Sequence, residues 1–114
     1  MVVAADVLSQ LRRGTLEYCV LSMLTVGETY GFDIVRTLGA TDGMVTGEGT
    51  LYPLLSRLKR DGKVSTTWRD SESGPPRKYY AITKQGQRAL DDFAAEWRRF
   101  RDTVDRFLKE GVPE

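Results

Sequence analysis

Apolar positions fall at helical spacing through most of the chain, and glycines mark the breaks. Val7, Leu8 and Leu11 predict a short first helix ending near Arg12-Arg13-Gly14. Leu16, Cys19, Val20, Met23 and Leu24 repeat at three- and four-residue intervals and predict a second. Thr15 would be its N-cap, Glu17 lies in its first turn where the helix dipole favours an anion, and Gly27 ends it. Cys19, in the middle of that stripe, reads as a buried structural thiol. A third helix opens at Tyr30 or Gly31, turns Ile34, Val35 and Leu38 inward and closes at Gly39. Ala40 to Val45 reads as a turn. A fourth helix begins between Thr46 and Thr50, buries Leu51, Leu54, Leu55 and Leu58, and stops at Gly62. Its opposite face holds Gly49, Pro53, Ser56 and Arg60, flanked by Thr50, Tyr52, Arg57 and Lys59. Such a face, small and hydroxylated and then basic, suits close approach to another surface.

The period then changes. Val64-Ser-Thr-Thr-Trp68 alternates, Asp70 to Pro76 is dense in turn formers, and Lys78-Tyr-Tyr-Ala-Ile-Thr83 is an aromatic strand. These predict a hairpin with a long loop, and with Arg69 and Arg77-Lys78 at its roots. Thr83 caps a long last helix starting at Lys84. On it Leu90, Phe93, Trp97, Phe100, Val104 and Phe107 are spaced alternately by three and four, the a/d seam of a heptad. The seam is short of three heptads, so it must pack on more than its own helix, and a second copy of the chain together with the first helices is the expected partner. The fold class is therefore mainly α with a small β-hairpin (α+β): a winged helix-turn-helix plus a long C-terminal dimerisation helix. The expected division is 1–83 for the DNA-binding domain with its short N-terminal helix, 84–110 for the dimerisation helix and 111–114 for a flexible tail.

Composition narrows the function. The 114 residues contain one cysteine and no histidine, which removes the commonest general base and the commonest metal ligand together. Asp91, Asp92 and Glu96 read as helix-surface charge, and Gly47-Glu48-Gly49 is too short for a phosphate loop. No enzyme activity, metal or cofactor is expected. No apolar run reaches membrane-spanning length, and the first residues lack the basic-then-apolar order of a secretory signal, so the expected location is the cytoplasm. The net charge of +1 hides an asymmetry. Residues 57–88 hold nine basic residues against three acidic, and residues 91–114 hold five against seven. A basic centre inside a winged-helix pattern points to double-stranded DNA. The alternative is a winged-helix protein–protein interaction module without sequence-specific DNA binding, its basic stretch set against an acidic partner.

Four stretches carry a family resemblance: Arg13-Gly-Thr-Leu-Glu17, Tyr30-Gly-Phe-Asp-Ile34, Glu48-Gly-Thr-Leu-Tyr-Pro-Leu-Leu-Ser-Arg-Leu58 and Ser73-Gly-Pro-Pro-Arg-Lys-Tyr-Tyr-Ala-Ile-Thr83. From Leu11 to Leu108 the chain resembles a short member of the PadR-like family of bacterial transcriptional regulators. It departs from the family in having Tyr30-Gly31-Phe32 for the frequent His-Gly-Tyr, and Pro75-Pro76 in the wing. The resemblance implies a homodimer joined through the C-terminal helix, acting as a repressor on a near-palindromic operator and released by a small aromatic effector. It implies that Phe93 and Trp97 bind that effector, whereas the heptad alone explains Trp97 as packing.

For DNA, Thr50 and Tyr52 are the candidates for base-edge or phosphate hydrogen bonds. Gly49 and Pro53 allow close backbone approach, and Glu48 can accept from a cytosine amino group or serve only the helix start. Arg57, Lys59, Arg60, Lys63, Arg69, Arg77 and Lys78 are the candidates for attraction to phosphates. Tyr79 and Tyr80 are expected to pack the wing.

Overall fold

The computed structural model describes residues 3–44 and 47–111, with side chains from Val7 onward. Val45, Thr46 and the tail 112–114 lie outside the described residues, so neither the end of the predicted turn nor the predicted flexible tail is described beyond Gly111.

All four leucines of the predicted stripe on α4 (Glu48–Arg60) are buried. They meet Ile34, Val35 and Leu38 of α3 (Gly31–Gly39) in a single core. Helix α1 (Val3–Arg13) leads into α2 (Leu16–Met23), which fills the other side of that core. The buried face of α2 is rotated from the predicted stripe. Leu16, Val20, Leu21 and Leu24 are buried, while Cys19 and Met23 are half-buried at the rim. Apolar residues lie nearly all round this helix, and such a helix is covered on more than one side, so no single stripe defines it. Cys19 is accordingly at the edge of the core rather than inside it. Thr15 occupies the N-cap position of α2 without capping through its side chain. Its hydroxyl turns back and donates to the Leu11 carbonyl at 2.9 Å. The helix also stops earlier than predicted, with a 3₁₀ turn over Leu24–Val26 before Gly27.

The sheet has three antiparallel strands in the order β1-β3-β2: β1 (Thr29–Tyr30), β2 (Val64–Ser71) and β3 (Gly74–Ile82). The two-residue β1, too short for periodicity to reveal, pairs Thr29 with Tyr80 and Tyr30 with Tyr79. The predicted long loop of the hairpin is in fact mostly strand. Pairing continues to Arg69↔Arg77 and then Ser71↔Gly74, leaving only Glu72-Ser73 as the turn. Between those two pairs one residue of β2, Asp70, faces Pro75 and Pro76 of β3. The irregularity absorbs the extra proline, and near its tip β3 has a neighbour on one side only, which is where proline is tolerated.

Helix α5 (Lys84–Glu110) is 27 residues long. Thr83 caps it as expected: its Oγ1 accepts from the Gly86 amide at 3.0 Å and donates to the Gly62 carbonyl at 2.6 Å. Gly62 ends α4 in a Schellman turn, with φ of 77°, its own N–H donating to the Lys59 carbonyl and that of Lys63 to Leu58. The two helix ends therefore share one knot. Gln85 Nε2 donates to the Asp61 carbonyl at 3.1 Å, and a Cβ on Gly86 would lie 2.1 Å from the Lys63 carbonyl oxygen.

The α5 seam divides in two. Leu90 and Phe93 pack back on the chain's own core, with Phe93 stacked on Tyr18 at a centroid distance of 4.1 Å. Beyond them the seam is bare in the single chain: Phe100 is 64% and Phe107 50% exposed, and Leu108 beside them is 80% exposed. Val7, Leu8 and Leu11 of α1 are exposed as well.

Replacing Gly86 with Ala should lower stability by about 1–3 kcal/mol through overpacking, against an intrinsic helix gain of about 1 kcal/mol. Urea unfolding measures the balance, and a stabilised variant would show that the knot yields.

Candidate nucleic-acid interface

The outer face of α4 follows from its leucines. With Leu51, Leu54, Leu55 and Leu58 fixed inward, Gly49, Pro53, Ser56 and Arg60 must point outward, and all four are exposed. Nothing lies within 4 Å of a Cβ placed on Gly49. Pro53 is the sixth residue of the helix, beyond the turn where donors are lost without cost, so it deletes the N–H that would reach the Gly49 carbonyl. The result is a slim, exposed strip of backbone followed by cations. Glu48 opens the helix and, like Thr50, is exposed, while Gly47 holds the N-cap position with no side chain to contribute.

The strip has two different flanks. Tyr52 and Lys59 face the hairpin, where Lys59 Nζ donates to Thr66 Oγ1 at 2.7 Å. Burial raises the Tyr52 phenol above its ordinary pKa, and the nearby Glu48 carboxylate and Tyr30 phenol add to this. Tyr80 is raised by its own burial and then by Tyr52. Both phenols stay protonated at neutral pH, so Tyr52 can donate a hydrogen bond to an anionic surface.

The hairpin carries cations against aromatic rings on both faces. Lys78 Nζ lies 5.7 Å from the Trp68 ring and 5.6 Å from that of Tyr80. On the other face Arg77 sits 4.8 Å over Tyr30 and Arg69 5.4 Å over Tyr79. Such contacts hold a cation in place while leaving its charge uncompensated. Arg69 is different, because its Nε also donates to Glu28 at 2.6 Å. Tyr80 is buried and Tyr79 half-buried, so both pack as expected. Trp68 is exposed.

The opposite flank of α4, Thr50 and Arg57, faces α1 and α2 across a polar groove of about 300 Å³. Arg12, Arg13 and Glu17 line it from the other side. Glu17 lies 3.2 Å from Lys63 Nζ and 4.0 Å from Arg57. Lys63 is thus drawn toward α2 and partly covered. Arg60 pairs with the neighbouring Asp61 at 3.3 Å in an exposed contact worth little. The seven cations expected to face phosphates therefore fall into two groups. Lys63 and Arg69 are held by carboxylates of other elements. Lys59, Arg60, Arg77, Lys78 and the loosely paired Arg57 surround the outer face of α4 and the wing. Arg12 and Arg13 were visible in the sequence but readable there only as the end of a helix. Their place beside Thr50 depends on the fold of α1 against α4.

A second candidate site surrounds Trp97, which is 38% exposed. An apolar cleft of about 620 Å³ lies between α2, the end of α3 and α5, lined by Tyr18, Met23, Leu38, Met44, Leu90 and Trp97 among others. A second hollow of about 450 Å³ runs along α5 past Phe93, Trp97 and Phe100. The Trp97 ring stacks on Phe93 at 5.9 Å. Cys19 lines the larger cleft, and burial raises its pKa, which favours the protonated thiol. Among the described residues no cluster of acidic or thiol side chains is placed to hold a metal ion, and no helix is long and apolar enough to cross a membrane.

Comparison with known proteins places this geometry. The sequence model of the transcriptional regulator PadR-like family matches residues 20–92. A PadR family transcriptional regulator from Eggerthella lenta is 36% identical, with a TM-score of 0.83 over 95% of this chain and 94% of that one. A PadR-like transcriptional regulator from Bacillus cereus is 34% identical, with a TM-score of 0.78 over 88% and 97%. An uncharacterised protein of Lysinibacillus sphaericus is 28% identical over 103 residues, covering 89% of this chain and 94% of its own.

Replacing Arg77 and Lys78 with Ala should weaken binding to every duplex and reduce the slope of log K against log salt by about 0.9 for each phosphate no longer neutralised. An unchanged slope in a salt titration would remove both residues from the phosphate-facing set.

Proposed function

Since the chain belongs to the PadR-like family of transcriptional regulators, DNA-binding proteins that typically dimerise, we propose that it is a homodimeric repressor of a near-palindromic operator, acting in the cytoplasm. The observation that carries this reading is the outer face of α4, slim at its start and basic at its end, exposed between a cationic wing and a basic groove. In a twofold dimer the two α4 helices enter successive major grooves about 34 Å apart. Gly49 and Pro53 let the helix backbone approach the bases. Thr50 and Tyr52 supply hydrogen bonds, and Glu48 can accept from a cytosine amino group. Arg57, Lys59, Arg60, Arg77 and Lys78 supply the sequence-independent attraction. Lys63 and Arg69, paired with Glu17 and Glu28, contribute less.

Residues 84–110 pair the subunits in this reading, and residues 1–83 meet the DNA. The bare part of the α5 seam supports the pairing. Each large apolar side chain removed from water contributes about 1.5–3 kcal/mol, and Trp97, Phe100, Val104 and Phe107 stand along one face of the helix. The open cleft beside Trp97 supports a planar aromatic effector, stacking where the Phe93–Trp97 pair leaves the indole accessible. Such a ligand acts by favouring one spacing of the two reading helices over another.

Two measurements test the reading. In a gel shift against the DNA upstream of its own gene, the protein should prefer that duplex over excess competitor. Equal binding to both would favour the interaction-module alternative. Replacing Trp97 and Phe100 together with Glu should give a 12.9 kDa monomer in sedimentation that has lost operator binding. A dimer surviving both charges would move the interface off the seam.

A further inference from the structure

Helix α1 carries a cation that the helix-turn-helix and its wing do not require. Arg13 closes α1, and its side chain lines the groove of about 300 Å³ that it shares with Thr50 and Arg57 of α4. The groove is built rather than accidental. The Nη1 of Arg12 donates to the Gly43 carbonyl at 3.1 Å, which ties the end of α1 to the turn between α3 and α4. On its floor Glu17 is engaged by Lys63 at 3.2 Å and by Arg57 at 4.0 Å. Among the described side chains this site brings together Arg12, Arg13, Arg57 and Lys63 against one carboxylate, so its charge is strongly positive. Arg13 itself is exposed and makes no ion pair among the described residues.

Position decides what this charge meets. An α-helix with its side chains is about 10–12 Å across, and the major groove of B-DNA is about 12 Å wide. A helix that enters the groove therefore fills it and brings one flank against each phosphate backbone. The wing-side flank of α4 carries Tyr52 and Lys59. The other flank carries Thr50 and Arg57, opposite Arg13.

We propose that the groove between α1, α2 and α4 is a phosphate clamp for the backbone of the strand the wing does not reach. The Arg13 and Arg57 guanidinium groups and the Thr50 hydroxyl donate to one phosphate, and Glu17 steadies Arg57 from behind. Guanidinium groups suit this role because their fixed fork of donors matches phosphate oxygens. The proposal rests on the reading of the chain as a DNA-binding regulator, and it makes α1 part of the DNA-facing surface.

The test uses the whole protein and a duplex selected by the wild type from a random-sequence pool. Arg13→Gln should lower the slope of log K against log salt by about 0.9 for each protomer bound, and Arg13→Lys should retain most of the slope. Arg106→Gln, on the face of α5 away from the seam, is the control for a general loss of charge and should leave the slope unchanged. A neutral methylphosphonate at the clamped phosphate should weaken the wild type but not Arg13→Gln. Unchanged thermal melting of Arg13→Gln shows that the variant is folded. A wild type that selects no sequence would overturn both the DNA-binding reading and the clamp. A wild type that binds specifically, with Arg13→Gln matching its slope or Arg106→Gln losing as much, would overturn the clamp alone.

Discussion

The contact between the start of α5 and the end of α4 fixes the relation between the outer face of α4 and the long helix α5. Gly86 sits where any side chain would run into the Lys63 carbonyl. Thr83 bonds to both sides of the junction through one hydroxyl, and Gln85 closes over the Asp61 carbonyl. The residues involved are those that end one helix and begin another, so neither helix can shift without disturbing the caps of both. On the far side, Tyr18 stacked on Phe93 braces α5 against α2. Together these contacts make α4 and the first three turns of α5 one mechanical unit.

Electrostatics sorts the cations around that unit. The central stretch of the chain is rich in arginine and lysine, yet the fold commits two of its cations elsewhere. Lys63 is drawn to Glu17, and Arg69 is bound to Glu28 at the entry to β1. Arg57, Lys59, Arg60, Arg77 and Lys78 are arranged on aromatic rings or along α4, where they have company but no full neutralisation. The pairing of Glu17 with the turn after α4 also ties α2 to the same junction that holds α5.

Much of this was legible in the sequence. The leucines of α4, the inward residues of α3, the Thr83 cap and the heptad of α5 are strong periodic or positional signals, and each is where its period requires. The misses share a cause. The rotation of α2 escaped because both flanks of that helix are covered, and the spacing of a single stripe cannot represent two faces. The short β1 carries no period at all. The hairpin turn was hidden by Pro75 and Pro76, which mark loops in general but here sit in a bulge near the tip. In the site, residue types showed which side chains could meet DNA. Only the fold could show that Arg13 joins Thr50 and Arg57, or that Lys63 is held by Glu17.

The length of α5 has a mechanical meaning once its base is clamped. Its 27 residues make a rod of about 40 Å at 1.5 Å per residue. A tilt of about a tenth of a radian at the root would carry the far tip through about 4 Å, by simple leverage over that length. Run in reverse, in the dimer proposed above, a few ångströms of sliding between paired rods becomes only a slight rotation of each α4. In that assembly the rod is a gearing element, stepping down coarse displacement at one end into fine angular adjustment at the other.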